Sequence, residues 1–219
     1  MSVESFDAFD LEKRVGDRAA LAGLQLDVAT VAAIAKHARS VVEHNERLQL
    51  TTVTRPEEFL ERHIGESLEG AALLDSRAQG CLLDLGSGNG YPAIPIAATL
   101  RELEPVCTEA SEAKAAFLRE TLATCLGKGQ VWDKQIQRPG DFDDRVSIRV
   151  LTCRAMGNWE RIFPRVAPML ASNGIAMLWA GESVEAIATR DAWQRLSLVA
   201  RHTLPGRQRS WIWCFRSVR

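Results

Sequence analysis

The feature that most constrains the fold of this chain is the run Cys81-Leu82-Leu83-Asp84-Leu85-Gly86-Ser87-Gly88-Asn89-Gly90-Tyr91-Pro92. A short apolar stretch leads into glycines at alternate positions, and a proline follows. That order reads as a buried strand, a sharp turn and the opening of a helix. Glycine accepts positive φ and lets bare backbone N–H groups approach a ligand. The G-x-G-x-G spacing differs from the G-x-G-x-x-G of dinucleotide-binding folds and from the lysine-terminated phosphate loop. Such a turn is either a structural hinge or a ligand cradle, and the flanking chain has to decide between them.

Downstream, strands and helices alternate. The pattern predicts strands at 81–85, 105–109, 130–132, 146–152 and 174–179, with helices at 92–100, 112–126, 158–170 and 184–195. Short loops between such elements imply a largely parallel sheet with helices on its faces. The ending breaks the alternation. Residues 196–203 and 210–215 read as strands joined through Pro205-Gly206 with no helix between them, so they must run antiparallel. Upstream, Val28, Val31, Ile34, Ala35, Ala38, Val41 and Val42 recur at helical spacing behind Asp27, a plausible N-cap. A second helix starts at Pro56, with Phe59, His63, Ile64 and Leu68 on one face. The expected organisation is a helical N-terminal extension over residues 1–75 and an α/β domain over 76–219.

Composition limits the function classes. The chain has 219 residues, 46% of them hydrophobic, which is ample for a buried core. A net charge of −1 exerts no global pull on nucleic acid, so any such contact needs a local patch. Beyond Asp191 no acidic residue occurs, while Arg195, Arg201, Arg207, Arg209, Arg216 and Arg219 follow; this run suits a phosphate backbone or is a solvated tail. No apolar run reaches the length of a membrane span, and the acidic N-terminus lacks a signal-peptide core. The five cysteines never take C-x-x-C spacing, which points to a reducing cytoplasm without disulfides or a zinc site. The histidines suggest no metal centre, and each reads as an interior or surface residue. Trp179, Trp211 and Trp213 read as core strand positions.

An acid ending the strand before G-x-G-x-G, together with the antiparallel ending, resembles the S-adenosylmethionine (SAM) site and sheet of Rossmann-like class I methyltransferases. The expected fold is therefore α/β, with a mostly parallel seven-stranded sheet and an antiparallel last strand. Ligands of such sheets lie beyond the C-terminal strand ends. The candidates there are Gly86, Gly88 and Gly90, then Glu109 for ribose hydroxyls, and Ile136 with Gln137 for an adenine ring. Arg154 emerges from the fourth strand as either a salt-bridge partner or a ligand clamp.

Longer motifs sharpen the likeness. Asn45-Glu46-Arg47-Leu48-Gln49-Leu50-Thr51, Arg62-His63-Ile64-Gly65-Glu66-Ser67-Leu68, Asp84 through Pro95, Glu109-Ala110-Ser111 with Lys114, Phe117 and Leu118, and Cys153-Arg154-Ala155 occur in that order. Together they resemble the RsmG (GidB) family. The resemblance implies SAM-dependent methylation of guanine N7 in small-subunit (16S) ribosomal RNA. It implies SAM contacts at Gly86, Tyr91, Ile136–Gln137 and Arg154, with no metal and with no catalytic side chain assigned. The expected protein is a cytoplasmic monomer whose partner is the small ribosomal subunit. Departures from the family pattern stand at Ala93 (usually glycine), Gln137 (usually an acid) and Cys153 (usually serine). Met156-Gly157 and Leu178-Trp179-Ala180-Gly181 also depart, the latter lacking the family's lysine and so removing a cation near the site. Two other readings share these residues: a SAM-dependent methyltransferase of a small molecule or protein, and a non-catalytic RNA- or ribosome-binding relative.

Overall fold

In the computed structural model, which describes residues 10–136, 139–141 and 146–218, a set of helices precedes the sheet. These are α1 (Leu11–Leu21), α2 (Val28–Leu48), α3 (Pro56–Phe59), a π-helical turn (Leu60–Gly65) and α4 (Glu66–Ala72). Helix α2 starts as its sequence predicts: the Asp27 carboxylate accepts the Thr30 N–H at 2.8 Å. It ends at Gln49, whose φ of 49° turns the chain out of the helix. The Asn45 side chain then brackets Thr51, accepting its N–H at 2.7 Å and donating to its carbonyl at 3.0 Å. This clasp fixes the link that later forms one wall of a cavity.

The remaining elements are β1 (Gly80–Leu85), α5 (Ala93–Thr99), β2 (Leu103–Thr108), α6 (Glu112–Cys125), β3 (Gln130–Trp132), β4 (Ile148–Arg154), α7 (Trp159–Val166), β5 (Leu170–Ala180), α8 (Ser183–Ala188), β6 (Leu196–Thr203) and β7 (Trp211–Ser217). They build a seven-stranded sheet of order β3-β2-β1-β4-β5-β7-β6. Neighbours from β3 to β5 are parallel, and β7 runs antiparallel to both β5 and β6. The predicted sheet and its antiparallel ending are therefore present. Side chains alternate across it as the period of two requires. Leu82, Val150 and Ile212 join the core under α1, α2 and α5, whereas Leu83, Leu151 and Trp213 join the core under α7 and α8. The N-terminal helices thus lie on the same face of the sheet as α5 and α6 and share a continuous core with it.

Several boundaries differ from expectation: the helix expected at 184–195 ends at Ala188, with a separate 3-10 turn at Asp191–Trp193, and β5 starts at Leu170 where 174 was expected. Strand β4 extends to Arg154, so that arginine is the last strand residue and not a loop residue. Helix α7 stops at Val166, before the predicted 170. Pro164 accounts for part of its shape: without an N–H it leaves the Glu160 carbonyl free of its helical bond. The Trp193 indole fills that role, donating to Glu160 O at 3.2 Å.

Candidate active site

The glycine turn lies at the C-terminal end of β1, in the middle of the sheet. Gly86, Gly88 and Gly90 have φ of +66°, +53° and +87°, so the alternation of glycines is a backbone requirement. The expectation that their N–H groups stand bare is corrected. The Gly86 N–H donates to Thr108 Oγ1 at 3.1 Å, the Gly88 N–H to Glu109 Oε2 at 3.0 Å, and the Gly90 N–H to Ser87 O at 2.8 Å. The loop satisfies its own donors because the end of β2 lies alongside it. The three glycines also do different work. A Cβ on Gly88 would meet nothing nearer than Gly86 O at 3.9 Å, whereas one on Gly90 would sit 2.6 Å from Ile94 and 3.0 Å from His37. Gly88 faces open space, and Gly90 is a packing position.

That open space is a cavity of about 560 Å³ bounded by the loop, the 49–53 link, Arg62, His63, Glu66, Tyr91, Arg154, Trp179 and Arg207. A smaller one, about 160 Å³, lies between Glu109, Lys134, Ile136 and Met156. Gly86 and Glu109 line both. Ile136 is only 3% exposed and gives the small cavity an apolar wall. Gln137 lies outside the described residues.

Arg154, half-buried at the tip of β4, meets the helical layer. Its guanidinium donates to Arg62 O at 2.6 Å and to His63 Nδ1 at 2.7 Å, and lies 3.5 Å from Glu66. It is both an ion-pair partner and a cavity-lining cation. His63 Nε2 faces Thr51 Oγ1 at 2.8 Å. Burial and the Arg154 charge hold His63 down at about 2. Burial pushes Glu66 up, while Arg154 and Arg207 pull against it. Tyr91 stacks between His37 and His63, with ring centroids 4.2 and 5.1 Å away. Beneath the loop, Asp84 accepts from Thr152 Oγ1 at 2.6 Å, but its Oδ2 has no partner among the described residues. Burial raises Asp84 to about 7.

Sequence reasoning missed His63 as a functional position, because on its helix it falls on the apolar face with Phe59 and Ile64. The available signal was its place beside Arg62 in a motif. It also placed no cation opposite Trp179. Trp179 packs over Gly70, where a Cβ would lie 2.5 Å from the ring, and its indole donates to Glu66 O at 3.2 Å. A cation does reach this wall, from another element: Arg207, in the turn between β6 and β7, stands 3.6 Å from Glu66.

The sheet order and the site at its C-terminal edge define a class I, Rossmann-like SAM-dependent methyltransferase. A solved SAM-dependent O-methyltransferase from Thermotoga maritima superposes with a TM-score of 0.56 at 14% identity, covering 81% of this chain and 71% of that one. The family model for rRNA small subunit methyltransferase G (GidB) matches residues 30–207, and the chain belongs to that family. Ribosomal RNA small subunit methyltransferase G of Sorangium cellulosum is 30% identical over 81% of this chain and 75% of that protein. The same-named protein of Anaeromyxobacter dehalogenans is 36% identical over 74% and 75%, respectively. The residues present fit SAM: a carboxylate shared by two cavities, an apolar wall at Ile136, and a glycine face that a side chain would fill.

Proposed function

We propose that this protein methylates N7 of a guanine in 16S ribosomal RNA. The observation that carries the reading is the pair of cavities joined at Gly86 and Glu109. Ile136, with Gln137 beside it in sequence, would hold the adenine end of SAM. Glu109 would hold the ribose, and Gly86, Gly88, Tyr91 and Arg154 would frame the rest, whereas Gly90, expected among the cofactor contacts, packs against Ile94 and His37 and lines neither cavity. SAM supplies a sulfonium methyl open to in-line attack by a lone pair. The part of the large cavity between the 49–53 link and Arg207 is left for the nucleobase.

Guanine N7 carries a lone pair and no proton, so the chain has to align the reactants and need not remove a proton. The titratable groups are consistent with that. Arg154 can only donate, so His63 Nδ1 is an acceptor and its proton sits on Nε2, towards Thr51. With its affinity for protons held at about 2, His63 is no general base near neutrality. Its role is to orient Arg154 at the cavity wall, and Glu66 balances the charges of Arg154 and Arg207.

We place the protein in the cytoplasm, acting as a monomer, with residues 1–75 as a helical extension of the methyltransferase domain. No described helix is long and apolar enough to cross a membrane. The deciding experiment is transfer from methyl-labelled SAM to small ribosomal subunits lacking the modification, followed by mapping of N7-methylguanosine. Label on a single guanine is the expected result. Label only in a metabolite or protein fraction would favour a different methyltransferase. No SAM binding by calorimetry would favour a non-catalytic relative.

A further inference from the structure

A third cavity, about 470 Å³, lies on the opposite face of the sheet from α1 and α2, between α7 and the turn that follows α8. Arg161, Arg165, Arg190 and Arg195 line it, with Glu160 as the one carboxylate among its described lining residues. In a chain of net charge −1, such a concentration of one sign is a local feature. Several arginines elsewhere have a carboxylate close by: Arg62, Arg101, Arg119 and Arg209 each lie 2.6 to 3.0 Å from one. Arg161, Arg190 and Arg195 are exposed, and none has an ion-pair partner among the described residues.

Three uncompensated guanidiniums around one concavity repel one another, and a polyanion relieves that repulsion. The aromatic at the site, Trp193, is 1% exposed and spends its indole N–H on Glu160 O, so no ring is offered for stacking on a base. The chemistry on display is therefore phosphate recognition without base readout. Helix α7 begins just past the Ala155–Asn158 loop, and Ala155 and Met156 of that loop line the two cavities at the glycine turn. The groove thus begins at Glu160 and Arg161, close behind that loop, and reaches Arg195 before β6, at the opposite edge of the sheet from the glycine turn.

We propose that this groove holds the phosphodiester backbone of RNA, as a docking point separate from the transfer cavity. The inference rests on the reading of RNA as substrate. It also redraws the C-terminal basic run. Arg201 pairs with Glu185 and Arg209 with Glu182, Arg207 enters the transfer cavity, and Arg219 lies outside the described residues. Arg195 alone of that run joins this groove, together with Arg161 and Arg190, which precede it.

The test compares the full-length protein with a triple variant, Arg161→Ala with Arg190→Ala and Arg195→Ala, and with the matching triple lysine variant. Binding of a labelled small-subunit rRNA fragment is titrated at several salt concentrations. SAM affinity is measured by calorimetry, and folding by thermal melting. The alanine variant is expected to lose roughly tenfold or more in RNA affinity at low salt, with a log–log salt slope shallower by about 2. The lysine variant is expected to keep most of both, and SAM affinity and melting are expected to be unchanged in either. Equal RNA affinity and slope in wild type and alanine variant would overturn the groove while leaving the substrate reading intact. Loss of binding to small subunits with unchanged binding to naked rRNA would also overturn it, in favour of a ribosomal protein contact. Absence of RNA and subunit binding by the wild type would overturn the substrate reading and the groove together.

Discussion

Arg154 donates a hydrogen bond to Nδ1 of His63 at 2.7 Å. A guanidinium has no acceptor to offer, so this contact fixes the neutral Nε2–H tautomer of the imidazole. The other side of the ring meets Thr51 Oγ1, which also accepts the Val53 N–H at 3.0 Å. Strand β4, the helical layer and the link after α2 therefore meet at one side chain.

His63→Ala should remove both contacts and leave the half-buried Arg154 short of an acceptor. A stability loss of about 2–3 kcal/mol by urea denaturation is expected, with a larger loss of methyl transfer than of RNA binding. His63→Gln, whose amide can accept on one side and donate on the other, should recover most of the stability. An alanine variant as stable and as active as the wild type would refute this linkage.

The same residue sets a pH dependence. His63 is held at about 2 against an ordinary 6.5. The unfolded chain therefore takes up a proton near 6.5 that the folded protein refuses. The stabilising contribution is complete above 6.5 and is lost as pH falls from there towards 2. Between about pH 4.5 and 6, wild type should gain stability over His63→Gln by about 1.4 kcal/mol per pH unit. Parallel curves in this window would show that His63 is protonated in the fold.

Asp84 acts in the opposite sense. Burial raises it to about 7 from an ordinary 3.8, so its contribution is complete below 3.8 and is lost as pH rises through about 7. Asp84→Asn can still accept from Thr152 and carries no charge. Relative to wild type it should become more stable on going from about pH 5 to pH 8, by on the order of 2 kcal/mol. Melting curves across that range decide, and a difference that is flat with pH counts against a neutral buried carboxyl.

Gly88 and Gly90 should separate binding from folding. Gly88→Val places its side chain in the open cavity, so SAM affinity should fall below detection in calorimetry. The positive φ should cost about 1–2 kcal/mol of stability. Gly90→Ala meets the fully buried Ile94 and His37, and should cost stability as well, about 2–3 kcal/mol. SAM binding unchanged in Gly88→Val would make the loop a hinge only.

Much of this protein is written locally. The strand-like apolar runs, Asp27 as a cap, the spacing along α2 and the Pro205-Gly206 turn each act within a few residues, and the elements they predict are there. Elements bent by remote partners were harder to read. The shape of α7 depends on Pro164 and on an indole from Trp193, well downstream.

The sequence by itself determined the doubly wound architecture, the glycine turn and the acid after β2, because periodicity, positive φ and strand-end position are local properties. Only the tertiary structure decided which groups meet. It closed the N–H groups of the glycine turn onto Thr108 and Glu109, and set His63 between Thr51 and Arg154. It carried Arg207 to the wall that Trp179 shares, and gathered Arg161, Arg190 and Arg195 around one groove. Those contacts join residues far apart in the chain, and their energies depend on burial and on neighbouring charge, which no local pattern encodes.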